Sequence, residues 1–206
     1  MFLVPACSYK NDIDSNYYCQ KLKLSCTKNN KKVIFKTSKG DFEVELFGKD
    51  KPVTVSNFIE NIEKNIYVNQ KFYKIVSFPQ IRFIHGGVNP ENKFFNQINK
   101  KLSKKTPSIP LEIKFQEEIK PRYKYEVKNP DNAKKLVNTF ESGSLAMVKR
   151  GKNNSSSTEF FFVTNKVPEL DGRYSIFGKI IKGLDVLEKI KKQDYIKEVK
   201  ISNLDF

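Results

Sequence analysis

From Val33 onward the chain alternates apolar and polar positions with unusual regularity. In "KVIFKTSKGDFEVELF", Phe42, Val44 and Leu46 alternate with Glu43 and Glu45, which predicts a strand with one face in a core and one in solvent. The intervening "TSKGD" reads as a tight turn, with Gly40 free to take a positive φ. After Pro52 the period lengthens. Val55, Phe58, Ile59 and Ile62 recur at helical spacing, with Thr54 or Ser56 as the candidate N-cap. "KFYKIVSF" and "IRFIHGG" read as strands, the second broken by Gly86-Gly87. Further on, "SLAMVKR" predicts a strand, "GKNNSSS" a polar loop, "TEFFFVT" a strand and "NKVPELDGRY" a loop. "SIFGKII" then predicts a strand, "GLDVLEKIKK" an amphipathic helix and "EVKISNL" a closing strand. The run Phe160-Phe161-Phe162 stands out. If Phe160 and Phe162 face a core, Phe161 faces the other way and needs a separate reason to be aromatic.

Two stretches break the pattern. Residues 88–142 hold Pro90, Pro107, Pro110, Pro121 and Pro130, many lysines and a single clear apolar segment, "IPLEIKF". They read as a long surface excursion with one or two short elements. Residues 1–30 read as a polar N-terminal segment or linker, followed by one domain over 31–206. Many short strands with a helix near each end of the series predict a mainly β fold, a closed antiparallel barrel whose two mouths are capped by two α-helices.

Composition alters this picture little. The chain has 206 residues, 17 phenylalanines, no tryptophan and a formal charge of +15. The lysines are spread along the whole chain rather than gathered on one element, so a nucleic-acid partner is not expected. Cys7, Cys19 and Cys26 all precede the first alternating strand, and His85 is the sole histidine, so neither a metal site nor a cofactor is expected. Cys19 and Cys26 could close a small disulfide loop or remain free thiols. "LVPACS" looks like the tail of a bacterial lipoprotein signal, which makes Cys7 a candidate for lipid attachment and the sole route to a membrane; the alternative is a chance match. With such an anchor the protein would lie outside the cytoplasm, and without it the cytoplasm is the better expectation.

The order "GDFEVELFGKDKPVTVSNFIENI", "FYKIV", "IHGG", "GSLAMVKRG", "SSSTEFFFVT", "LDGRYSIFGKIIKGLDVLEKI" resembles the cyclophilins over about residues 32–205. The excursion and the "DYIKEVKI" ending look most like the branch found in cyanobacteria and chloroplast lumens. The resemblance implies an eight-stranded barrel with two capping helices and prolyl cis–trans isomerisation without a cofactor. It also implies a monomer acting on proline-containing segments of client proteins. It makes Phe161 the floor of a proline pocket and Leu170 a wall, with Tyr174 where the family usually has histidine. Tyr73 and the strand of Met147 come next to the site. In the longer "SFPQIRF" stretch the pocket residue is Phe83 or Phe78, and Arg82 could approach the groove. Lys74 stands where the family has its catalytic arginine, and Glu159 replaces a glutamine before Phe-Phe. His85 replaces a glutamine before Gly-Gly, either as a substrate contact or as a buried imidazole in place of an amide.

The chemistry asks for little. The barrier to rotation about an X–Pro bond is about 18–20 kcal/mol because of amide conjugation. A site need only grip the ring and offer a donor that favours the twisted amide. Lysine is a flexible point charge where arginine is a planar fork, so the expected rate is reduced, more so if Glu159 pairs with Lys74. Three roles follow: an isomerase, a weakly catalytic proline-peptide binding module or assembly factor, and a basic nucleic-acid binder. The third requires a contiguous lysine face.

Overall fold

In the computed structural model, residues 14–89 and 108–202 are described. The β1 strand (Lys31–Thr37) and β2 (Gly40–Leu46) form the predicted hairpin, with Gly40 at φ 125°. Their register sets Phe35 opposite Phe42, the rings stacked at 4.9 Å, and Val33 opposite Val44. The other sheet strands are β3 (Lys74–Ser77), β4 (Arg82–Gly87), β8 (Ser144–Lys149), β9 (Asn154–Val163), β10 (Ile176–Lys182) and β11 (Ile196–Ser202). All pair antiparallel in the order β11-β1-β2-β10-β8-β9-β4-β3. The result is a mainly β, curled eight-stranded sheet. Its end strands, β3 and β11, share no ladder. The segments leading into them meet instead, through one bridge between Lys71 and Tyr195 and backbone bonds such as Phe72 N–H to Asp194 O (2.8 Å) and Ile196 N–H to Gln70 O (2.9 Å).

The concave side is filled by aromatic rings. Phe35, Phe42, Phe58, Phe160, Phe162 and Phe177 form one buried cluster. Helix α2 (Pro52–Glu63) contributes Val55, Phe58 and Ile62 to it, and the short helix α4 (Leu184–Lys189) contributes Leu187. Neither Thr54 nor Ser56 caps α2. The cap position is Lys51, whose side chain makes no capping bond, and Pro52 follows it. The free N–H groups of Val53 and Thr54 donate to Glu112 at 3.2 and 2.8 Å, an acceptor brought from 58 residues away.

β9 begins earlier than its sequence pattern predicts. The serines of the expected polar loop extend the strand back to Asn154, and Ser155, Ser156 and Ser157 are buried. They are covered by β5 (Ser108–Pro110), which pairs with this half of β9, and by α2, whose Asn57 and Asn61 side chains donate to Ser157 O. The rest of the described excursion holds more order than expected. β6 (Glu112–Ile113) and β7 (Arg122–Tyr123) pair, helix α3 (Pro130–Ala133) follows, and Leu111, Ile113, Val127, Ala133 and Leu136 make a small core of their own.

The polar-linker expectation for the N-terminal segment also gives way. Helix α1 (Ser15–Leu22) is capped by Asp14 and buries Tyr18 and Cys19 against Val53, and Cys19 is joined to Cys26 in a disulfide. Cys7, the candidate lipid site, lies outside the described residues.

Candidate active site

Residues directly opposite in an antiparallel ladder share a face. Lys74 of β3 faces His85 of β4, His85 faces Phe161 of β9, and Phe161 faces Ala146 of β8. This row runs across the outer side of the sheet, opposite to Phe160 and Phe162. Phe161 is the centre of a second aromatic cluster. Its ring stacks on His85 (5.4 Å) and Phe140 (5.8 Å) and meets Tyr174 edge-on (5.2 Å). Above it opens a pocket of about 200 Å³ lined by Phe83, His85, Val148, Lys149, Phe161, Leu170 and Tyr174. That is smaller than the roughly 300–1,000 Å³ of a drug-sized site and suits a single apolar ring.

The loop carrying Leu170 is held from beneath. Asp171, its carboxyl pushed up by burial, accepts the N–H of Phe140 at 2.7 Å. Gly172 sits at φ 75°, where a Cβ would come within 2.4 Å of Val127. The excursion therefore supports the wall of the pocket.

Five of the anticipated residues meet there: Phe83, His85, Phe161, Leu170 and Tyr174. Of the two candidates in "SFPQIRF", Phe83 lines this pocket and Phe78 stands outside on the hairpin turn, 58% exposed. Met147 is a correction. It lies opposite Phe160, fully buried in the sheet's interior cluster, and its neighbours Val148 and Lys149 line the pocket instead. The parity was available in the sequence, since a strand that turns Met147 inward must turn Val148 outward. Arg82 does not approach the groove. Its guanidinium donates to the carbonyls of Glu188 and Ile190 at the end of α4.

The pairing of Lys74 with Glu159 that the sequence left open is absent among the described residues. Glu159 is nearly buried, and its oxygens accept from Tyr73 Oη (3.0 Å), Ser156 Oγ (3.1 Å) and the Arg150 guanidinium. Arg150 is a residue that sequence reasoning missed. Lys74 is exposed and makes no ion pair among the described residues. Its charge is felt at His85, whose pKa is lowered to about 4, first by burial and then by the Lys74 ammonium. His85 is therefore neutral at pH 7, with one donor and one acceptor nitrogen, as an amide side chain would offer.

The model of the cyclophilin-type peptidyl-prolyl cis-trans isomerase family matches residues 32–205. The chain belongs to that family. A peptidyl-prolyl cis-trans isomerase of Helicobacter pylori is 30% identical over 170 residues, covering 82% of this chain and 85% of the relative. An isomerase-like protein 2 of Rhizopus delemar is 31% identical over 155 residues, 75% of this chain, and this chain spans only 24% of that longer protein. Among solved structures, a Cryptosporidium parvum cyclophilin matches the fold with a TM-score of 0.58 at 24% identity, over 86% of this chain and 100% of that one. The same parasite protein has also been crystallised in the presence of the dipeptide Ala-Pro.

Proposed function

We propose that this cyclophilin catalyses cis–trans isomerisation of X–Pro bonds in exposed segments of client polypeptides, acting as a monomer. The observation that carries the reading is the row Lys74–His85–Phe161, which sets a cation beside an aromatic-floored pocket on the outer face of the sheet. Phe161, Phe83, Leu170 and Tyr174 grip the proline ring, and the presence of Ala-Pro with the Cryptosporidium relative agrees with that use. The neutral His85 offers a hydrogen bond to the flanking backbone. Lys74 supplies the donor that favours the twisted amide. Glu159 is a positioning residue that holds Tyr73 and Arg150 at the rim. In this reading the bonds between residues 69–72 and 193–196 close the sheet into a barrel, residues 31–206 form the isomerase domain, and residues 1–30 are an appendage to it.

A second reading, a proline-peptide binding module with little turnover, is favoured by one observation. The cation at the donor position is a single exposed ammonium rather than a planar guanidinium. A protease-coupled assay on a proline tetrapeptide decides between them. Acceleration above the uncatalysed rate, abolished by an excess of competing Ala-Pro peptide, supports the enzyme. Saturable peptide binding without acceleration supports the module.

A further inference from the structure

The β3–β4 hairpin carries a four-residue turn, residues 78–81, between the facing pair Ser77 and Arg82. This turn is held on every side. Phe78 N–H donates to Ile81 O at 2.8 Å, and Ile81 N–H returns to Phe78 O at 3.4 Å. Pro79 fixes its own φ. The Arg82 guanidinium anchors the base of the turn to Ile190 O, and Arg82 N–H donates to Thr164 Oγ1 at 2.9 Å. Ile81 packs into the cluster beneath the pocket. Yet the Phe78 ring, mounted on this fixed turn, is 58% exposed. Its one described ring contact is edge-on to Phe83 at 6.3 Å, and Phe83 in turn stands 6.2 Å from Phe161. An exposed aromatic on a rigid mount beside a binding pocket has already met much of the ordering cost of binding.

We propose that Phe78 forms a second subsite, which takes a leucine or aromatic side chain of the same polypeptide substrate. This rests on the reading of the Phe161 pocket as the proline site. Two ring-to-ring steps of 6.3 and 6.2 Å separate Phe78 from Phe161. An extended chain advances about 3.3–3.6 Å per residue, so the side chain that reaches Phe78 stands no more than about three positions from the proline, on one flank only. The protein thus reads an apolar residue at a fixed distance from proline, rather than proline alone.

The test is a set of fluorescently labelled alanine-rich peptides with one central proline, in which a single phenylalanine is moved through the three positions on each side. Dissociation constants are measured for the parent protein and for Phe78→Ser. In the parent, a phenylalanine at one of the three places on one flank should tighten binding roughly three- to tenfold over the peptide with alanine throughout. In Phe78→Ser that preference should vanish with the melting temperature unchanged, because an exposed ring contributes little packing. Equal affinity at all positions in the parent, or a preference that survives Phe78→Ser, overturns the subsite. A separate control replaces the proline by alanine. If that peptide binds as well as its parent, or if no peptide binds at all, the proline-pocket reading itself fails.

Discussion

Replacing Lys74 by arginine should raise kcat/KM on a proline peptide by roughly tenfold, equivalent to about 1.4 kcal/mol of barrier. Lys74 opens β3 opposite His85, and His85 lies opposite Phe161. Two strand spacings of about 4.8 Å therefore separate its backbone from that of the pocket floor, a gap that a long side chain largely spans. The ammonium already acts on the site, since it helps to depress the His85 pKa. It nevertheless offers its donors from a freely turning point charge, whereas a guanidinium presents two N–H groups in one plane. A hydrogen bond from a charged donor nets about 1.5–3 kcal/mol, and the share made only to the twisted amide lowers the barrier. Because Glu159 is held by Tyr73, Ser156 and Arg150, the charge at position 74 needs no release from it, and the single substitution should suffice. Adding Glu159→Gln removes the anion that holds Arg150, whose side chain is 33% exposed, and should cost about 1–2 kcal/mol of stability rather than add rate. Turnover by protease-coupled assay and peptide affinity by titration are measured side by side. Unchanged kcat/KM in a folded Lys74→Arg protein would refute the donor role, and so would a gain matched entirely by tighter ground-state binding.

Phe161→Ala should behave as a core deletion and a site deletion together, because the ring is 3% exposed and still floors the pocket: about 3–5 kcal/mol lost in chemical denaturation, with weaker peptide binding by titration. His85 titrates near 6.5 when unfolded and at about 4 in the fold, so the folded state binds fewer protons between those values. Its contribution to stability is complete above about pH 6.5 and is lost as pH falls towards 4; His85→Gln should flatten that part of a plot of urea midpoint against pH. Opening the Cys19–Cys26 bridge by a double serine substitution should cost about 2–3 kcal/mol, the value for a loop of this length, and should speed hydrogen exchange in α1 before the sheet. Removing residues 1–30 should lower the melting temperature by uncovering Val53 and Tyr123, and an unchanged value would show that α1 adds no net stability.

The strands and helices were legible where one face is wet. β1, β2 and α4 carry periods of two or 3.6 residues because solvent on one side enforces polar residues there. The triple phenylalanine of β9 signalled a strand covered on both faces, and the direction of Phe161 followed from parity alone. Parity also held the answer for Met147 and Val148, which needed only the register of β8 against β9. Other features left no local trace. The serine half of β9 looks like a loop because what buries it, the α2 amides that donate to Ser157 O and the covering strand β5, lies far off in the chain. The cap of α2 is a glutamate 58 residues away, and the carboxylate of Glu159 is taken by an arginine that no periodicity points to. Alternation along one strand is a local response to water and is written into the order of residues. Which strand lies beside which, and whose charge therefore meets whose, is decided only when the sheet curls and brings distant side chains into one place.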